Sequence, residues 1–349
     1  MKFEAVTIKD IARALGLSPS TVSRALRGSY EISPETKQLV QDYARKFNYQ
    51  PNPIAKSLKE SRSRAIGVIV PEIVNYFFSQ AINGIDEAAY RRGYHVIVSQ
   101  SHESFEREVE TTQLLVSRRV DGLLVSLSSQ TDRVEHFKAL QEKGLPIVFF
   151  DRVSEEMDTC KVKSDNFQGA YQATAHLAAA GCRRIAHLTT AAWLSITRER
   201  LAGYRNALED NGLPFEEAYV KYFNFGAMNP SETDRVVGEL LKHPERPDAI
   251  FSATDRLTSA CLASLRAAGV RVPHDIALVG FTNLTVAHLL DPALTCVTQP
   301  AFEMGQAATE MLIELVESKR PVTQFETRVL PTTLWTRASS RKDASPIEP

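Results

Sequence analysis

Hydrophobic and polar positions change rhythm once along the chain, near residue 64. Before that point the apolar residues follow a helical period. Ile8, Ile11, Ala12 and Leu15 share one face, Val22, Ala25 and Leu26 another, and Leu39, Val40, Tyr43 and Phe47 a third. Each stretch opens on a capping signal. Thr7 with Asp10 has the form of a capping box, and Ser18-Pro19 and Ser33-Pro34 each put a hydroxyl cap before a proline, whose missing N–H costs nothing at the first helical position. Gly16 and Gly28 close the first two helices, because glycine tolerates the left-handed cap. The spacing therefore predicts two short helices joined by Gly16-Leu17-Ser18, a helix-turn-helix, with a third helix from Ser33 to about Phe47 completing a small core. The segment from Asn52 to Lys59 adds about two turns of helix, too few to be stable alone in water.

From Ala65 the pattern becomes apolar strands alternating with helix-length segments, the mark of a doubly wound parallel sheet. Strands are predicted at 65–71, 94–99, 121–126 and 146–150, with helices around 78–91, 106–118 and 132–143. A second series follows at 184–189, 218–223, 248–252 and 276–280. Two such units in tandem predict two lobes with a cleft between them, and in open α/β sheets ligands sit beyond the carboxyl ends of the strands.

Composition changes this picture little, but charge sharpens it. The 349 residues are 43% apolar and 24% charged, as in a soluble globular protein of two or three domains. The net charge of -1 conceals an asymmetry. Residues 1–64 carry twelve Lys and Arg against six Asp and Glu, a net of +6, while the remainder carries 29 against 36, a net of -7. A basic head before an acidic body suits binding to nucleic acid. Cys160, Cys182, Cys261 and Cys296 are scattered with no CxxC pair, which suggests neither a disulfide framework nor a zinc site. With no signal-peptide pattern and no long apolar run, a reduced, cytoplasmic protein is expected. The chain contains no GxSxG, HExxH, GxGxxG or GxxxxGK[ST], so no enzyme, metal or cofactor is expected.

The run VTIKDIARALGLSPSTVSRALRGSYEISPETKQLVQDYARKFNYQPNPIAKSLK closely resembles the lac repressor and galactose repressor (LacI/GalR) family of bacterial regulators, and the likeness continues through GCRRIAHL, RLAGYRNAL, VPHDIALVGF and LTCVTQPAFEMGQAA. It implies an all-α helix-turn-helix head, residues 1–50, and an α/β body of two parallel-sheet lobes of periplasmic-binding-protein type, residues 64–338, joined by a hinge helix and linker, 51–63. Lobe one is expected at 65–162 and 296–323, lobe two at 163–295 and 324–338, and residues 339–349 as a disordered tail.

The resemblance also implies a homodimer on a pseudo-palindromic operator, with Pro19, Ser20 and Arg24 facing bases and Leu58 wedged into the central minor groove between phosphate-binding lysines. Arg24 has the best chemistry for base reading, since its fork can bind guanine O6 and N7 together. Thr7, Ser18, Thr21, Ser23, Arg27, Tyr49, Asn52, Ala55 and Lys59 complete the candidate DNA-binding set. The family often has Asn where this chain has Arg27, which leaves open whether that arginine meets a base or a phosphate.

For an effector the candidates are Phe77, Phe78, Asp151, Trp193, Arg200, Phe225, Asp255 and Asn283, at or just after strand ends. Aromatic faces pack on sugar C–H groups or planar rings, and carboxylate, amide and guanidinium groups satisfy hydroxyls. Any one of them alone reads as readily as structural. Phe78 could be core, and Asp151 could cap a helix or pair with Arg152. Thr254-Asp255 and Phe281-Thr282 stand where the family commonly has Asn-Asp and Phe-Asp, so effector identity does not carry over. Leu194 stands where purine-responsive members place a second arginine, which favours a neutral carbohydrate over an anionic nucleobase, with a nucleoside kept as an alternative effector. A protein partner as effector is a further alternative, and a sugar-binding transport protein the least favoured.

Overall fold

The computed structural model describes residues 6–49, 62–223, 229–320 and 322–341, and divides into two units between Arg64 and Ala65. The first unit holds α1 (Ile8–Leu15), α2 (Pro19–Leu26) and α3 (Pro34–Lys46). Their starts are locally determined. The Thr7 hydroxyl and the Asp10 carboxylate form the reciprocal capping box, and the Ser18 and Ser33 hydroxyls accept from the Thr21 and Thr36 amides. Gly16 closes α1 in the left-handed region at φ 64°. Ile11, Ala12, Val22, Ala25, Val40 and Ala44 form the core.

Here the expected third apolar face needs correction. Leu39 and Phe47 are largely exposed, while the expected Val40 and the half-buried Tyr43 pack into the core together with Ala44. The small Ala12 and Ala25 let the helices approach closely, and two eight-residue helices cannot cover a wider stripe.

The second unit contains two six-stranded sheets. In chain order the first lobe runs β1 (Ala65–Val70), α4 (Tyr76–Arg91), β2 (His95–Gln100), α5 (Phe105–Ser117), β3 (Gly122–Val125), α6 (Glu135–Gln141), β4 (Ile147–Phe150) and β5 (Lys161–Ser164). The second runs α7 (Asn166–Ala179), β6 (Ile185–Thr190), α8 (Ser195–Asp210), β7 (Val220–Phe223), α9 (Pro230–Lys242), β8 (Ala249–Ser252), α10 (Asp255–Ala267), β9 (Ala277–Phe281) and β10 (Thr295–Thr298). The chain then returns to lobe one with α11 (Ala301–Glu317) and β11 (Thr327–Leu330), and ends in lobe two with β12 (Thr333–Trp335).

The orders are β11-β5-β4-β3-β1-β2 and β12-β10-β9-β8-β6-β7, parallel except for β12 against β10. Central strands β1, β3 and β4 are buried almost throughout, as strands covered on both faces must be. All four cysteines are buried and free.

The eight predicted strands are present, and four more, β5, β10, β11 and β12, complete the two sheets. All four move the expected lobe limits. The lobe crossings fall after Ser164, between Thr298 and Ala301, and between Leu330 and Thr333, rather than at 162/163, 295/296 and 323/324. Only two residues separate β11 from β12, so adjacent short strands with similar patterns belong to different sheets. The tail expected from 339 also begins too early. Ser339 and Ser340 are buried in lobe two, where the Ser339 hydroxyl donates to the Leu278 carbonyl and accepts from the Thr295 amide.

Helices α4 and α11 cross at two glycines. A Cβ on Gly84 would collide with the Phe302 carbonyl, and one on Gly305 with the Ala81 carbonyl. Gly84→Ala is therefore expected to destabilise the body by about 1–3 kcal/mol through overpacking. Gly238→Ala, in α9 with open space around it, should be neutral or stabilising by up to about 1 kcal/mol. Chemical denaturation of the two variants checks the contrast.

Candidate functional site

In the head, Ser20, Ser23 and Arg24 on α2 and Arg27 at its C-cap recur at helical spacing, away from the buried Val22 and Ala25. Pro19, Ser20, Arg24 and Arg27 are exposed, while Thr21, Ser23 and Tyr49 are half-buried. Both arginines are held within the unit. Arg24 Nη1 lies 2.9 Å from Glu31 Oε2, and Arg27 donates from Nε to the Ser23 carbonyl at 3.0 Å and from Nη2 to the Ser23 hydroxyl at 3.1 Å. An exposed ion pair of this kind contributes about 0.2–1 kcal/mol, little enough for a base edge or phosphate to replace it. Ser18 Oγ sits 2.7 Å from Ser20 Oγ and 2.8 Å from Thr21 Oγ1, and the exposed Thr7 hydroxyl donates to Asp10. Asn52, Ala55, Leu58 and Lys59 lie outside the described residues.

In the body, four of the effector candidates converge at the strand ends. Asp255, the first residue of α10, accepts on Oδ1 from the Thr282 hydroxyl and from the Asn283 amide at 2.8 Å. Asn283 follows β9 and reaches across the cleft, donating from Nδ2 to Gln80 Oε1 on α4 at 3.0 Å and to the Gln299 carbonyl at 2.8 Å. Gln299, at the crossing between β10 and α11, donates from Nε2 to Asp151 Oδ1 at 3.3 Å and to Ser164 Oγ at 3.0 Å. Arg200 donates from Nε to Asn166 Oδ1 at 2.9 Å, from Nη2 to Gln299 Oε1 at 3.4 Å and from Nη1 to the Ala253 carbonyl, with its guanidinium 3.7 Å from the Phe281 ring centroid.

Enclosure sets the electrostatics. Burial raises the Asp151 and Asp255 carboxyls above the usual carboxylate range despite Arg200 nearby, and lowers Arg200 to about 10. Asp151 adopts a left-handed φ of 58°, and His102 and Glu103, after β2, adopt 50° and 61°. Such backbone strain concentrates at binding sites. Three more ties join the lobes: Trp193 Nε1 donates to the Ser129 carbonyl at 2.9 Å, the Val153 amide to Ser195 Oγ at 3.2 Å, and Arg256 pairs with Glu72.

Residues 7–52 match the model for bacterial regulatory proteins of the lacI family, and residues 174–340 that for a periplasmic binding protein-like domain. The HTH-type transcriptional repressor PurR of Vibrio atlanticus is 32% identical over 320 residues, which cover 90% of this chain and 92% of that one.

The chain belongs to the LacI family.

Solved structures extend the likeness. The transcriptional regulator CelR in complex with cellobiose is 31% identical, covering 96% of this chain and 99% of that one, with a TM-score of 0.70. A LacI-family regulator from Enterococcus faecium with bound ribose is 26% identical over 79% of this chain and 98% of its own, at 0.67. The lac repressor dimer bound to operator and the anti-inducer ONPF shares the fold at a TM-score of 0.80 and 24% identity, over 97% and 99% of the two chains. This LacI-family chain is thus a DNA-binding transcriptional regulator whose relatives are repressors rather than enzymes. Among the described residues no helix is long and apolar enough to cross a membrane, and no group of His, Cys, Asp and Glu could hold a metal ion.

Of the remaining effector candidates, Trp193 is 41% exposed at the Ser129 contact, away from the Gln299 network. Phe77 and Phe78 pack edge to face in the lobe-one core. Phe225 lies outside the described residues. The pairing of Asp151 with Arg152 is replaced by another: both Arg152 Nη atoms bind the buried Glu103, at 2.7 and 3.1 Å. Burial alone would raise the Glu103 carboxyl, and Arg152 together with hydrogen bonding from Ser129 more than offsets it, leaving the group below its ordinary value. Gln299, Gln80, Asn166 and Ser164 escaped prediction, because neutral groups carry no charge or aromatic signal. Only the position of Gln299 before Pro300 at a crossing marks it.

The raised Asp151 carboxyl has a measurable consequence. Its neutral form is favoured in the folded state, so this contribution to stability is full below the unfolded carboxylate value and is lost as pH rises through the raised folded one. Asp151→Asn keeps the neutral geometry, and asparagine tolerates the left-handed backbone. Melting temperatures taken from about pH 4 to about pH 7 should fall less, or rise more, for the variant than for the unmodified protein.

Proposed function

We propose that this LacI-family chain is a cytoplasmic repressor that binds a pseudo-palindromic operator as a homodimer and responds to a neutral carbohydrate held between the lobes. The observation that carries the effector reading is the linkage of Asp151, Arg200 and Asn283 through Gln299, with Asp255 held to Asn283, at facing strand ends. Carboxylates and amides offer acceptors and donors in the alternation that sugar hydroxyls require. Three of the five Arg200 N–H donors already go to Asn166, Ala253 and Gln299, which leaves fewer for an anion. The cellobiose complex of a regulator similar over 96% of this chain supports the same class.

On this reading Pro19, Ser20 and Arg24 meet base edges, with Arg24 exchanging Glu31 for guanine. Ligand and DNA communicate through lobe one. Asn283 to Gln80 and Arg256 to Glu72 both tie lobe two to α4 or the loop before it, so a ligand that alters lobe closure shifts α4 and, across the dimer, the hinge segments. A coupling of about 1–3 kcal/mol suffices, and it acts equally in both directions.

A thermal-shift screen of sugars, nucleosides and nucleobases on the full chain tests the effector class. A ligand at 100 times its Kd stabilises by about 2.7 kcal/mol. Sugars are expected to stabilise the protein; stabilisation by nucleosides or nucleobases alone would replace the carbohydrate reading. Asp255→Ala should abolish the ligand response while operator binding persists. Arg24→Ala should relax base preference at one position per half-site by about 1–3 kcal/mol in a binding-site selection.

A further inference from the structure

The acidic body has one basic end. In a parallel sheet every helix-to-strand connection arrives where a strand begins, and the chain coming from the head enters lobe one at that same end, through Arg64 into β1. In lobe one the stretch 62–64 and the connections 92–94, 118–121, 142–146 and 318–326 carry eight Lys and Arg against three Asp and Glu. The matching connections of lobe two, 180–184, 211–219, 243–248 and 268–276, carry four against five. Basic residues favour helix C-termini in general, but that preference acts on both lobes alike and leaves the difference unexplained.

Three neighbouring strands gather this charge. β2, β1 and β3 lie side by side at about 4.8 Å, so their starts fall within about 10 Å of one another. The Asp121 amide donates to the Ala65 carbonyl at 2.8 Å, which fixes the 118–121 turn beside the entry of the chain. On the other side Arg92 pairs with Glu317 at 2.6 Å, joining the end of α4 to the end of α11, just before Lys319 and Arg320. Arg118, Arg119, Lys319 and Arg320 are exposed, and their side chains have no hydrogen-bond or ion-pair partner among the described residues.

One of the four is kept against a backbone preference. Helices α4, α7, α8 and α10 each turn on a glycine two residues past their last helical one, Gly93, Gly181, Gly212 and Gly269, with φ between 64° and 86°. Helix α5 makes the same turn on Arg119, at φ 58°. A side chain in the left-handed region strains the backbone where glycine does not. Exposed and without a partner among the described residues, the Arg119 guanidinium does not offset that strain within the fold, and it is free to meet something outside it.

We infer that this rim of lobe one is a second DNA-binding surface, on which Arg118, Arg119, Lys319 and Arg320 meet phosphates of the duplex bound by the head. A duplex carries one negative charge per about 1.7 Å of its axis, the complement of a cluster of unpaired cations. DNA held by the head is tethered to this end of the body by the chain that enters at Arg64. Phosphate contacts add affinity and carry no sequence information, so the rim acts in addition to the reading of bases by α2.

The test uses the full chain and a labelled duplex that the unmodified protein recovers from a random-sequence pool. Fluorescence anisotropy measures affinity from about 50 to 200 mM KCl, a range over which phosphate contacts weaken steeply. The rim pairs Arg118→Gln/Arg119→Gln and Lys319→Gln/Arg320→Gln are compared with Arg183→Gln/Lys242→Gln, which removes the same charge from exposed positions of lobe two. Each rim pair should lower the slope of log affinity against log salt by about 1–2 and weaken binding about threefold or more at 0.1 M KCl, while the selected sequence stays the same. The lobe-two pair should leave slope and affinity unchanged. Arg119→Gly should melt at a higher temperature yet bind DNA more weakly, a combination that an arginine serving only the fold would not give. Rim pairs that bind like the unmodified chain or like the lobe-two pair overturn the second surface, and so does an Arg119→Gly protein that gains stability and keeps its affinity. Arg24→Ala, which acts on the selected base instead, tells a failure of the head apart from a failure of the rim.

Discussion

A buried polar group must find a partner, and at the centre of this protein the partners lie in the opposite lobe. The strand ends of each sheet carry carboxylates, amides and a guanidinium into an enclosed space, where an unmet donor or acceptor costs about 1–3 kcal/mol. Asn283 of lobe two is satisfied by Gln80 of lobe one, Gln299 spans Asp151 and Arg200, and the Trp193 indole N–H finds the Ser129 carbonyl. The two lobes are therefore held together by polar contacts. The candidate effector residues and the groups that hold the lobes together are largely the same.

The head operates under a different economy. Its core is six small or medium apolar side chains, its helices are eight, eight and thirteen residues long, and local caps carry a large share of their definition. What it offers to DNA is a polar stripe on α2 with two arginines, each parked on a weak internal partner. The pairing of Arg24 with Glu31 orders the guanidinium and partly neutralises it. Charge is apportioned to match, with the surplus of basic residues confined to the first 64 positions and the surplus of acidic ones to the body.

Much of the fold was legible because its determinants are local. A hydroxyl cap, a proline after it and a glycine at the end act within four residues, so α1, α2 and α3 could be placed to within a residue or two. The central strands were equally plain, since strands covered on both faces must be apolar throughout. Legibility failed for elements with little local signature. Strand β11, four residues of mixed exposure, and β12, three residues at a sheet edge, resemble ordinary loop, and nothing local says that one completes the first sheet and the other the second. Leu39 and Phe47 show the same limit from the other side: helical spacing marked them as apolar, and only the width of the neighbouring helices left them exposed.

The candidate site divides along the same line. Asp151, Arg200, Asp255 and Asn283 were identifiable because each sits just beyond a strand end or at a motif position, which order along the chain reveals. By itself the sequence determined the helices of the head, the alternation of the body, the split of charge and the family. Tertiary structure alone decided the partners: Glu103 rather than Asp151 for Arg152, Gln80 for Asn283 and Gln299 as the common centre, pairs 49, 203 and up to 148 residues apart. The reason is physical. A cap or a helical stripe is specified by neighbours a few residues away, whereas a buried polar contact exists only once two distant segments have been brought together, and no pattern within either segment records the other.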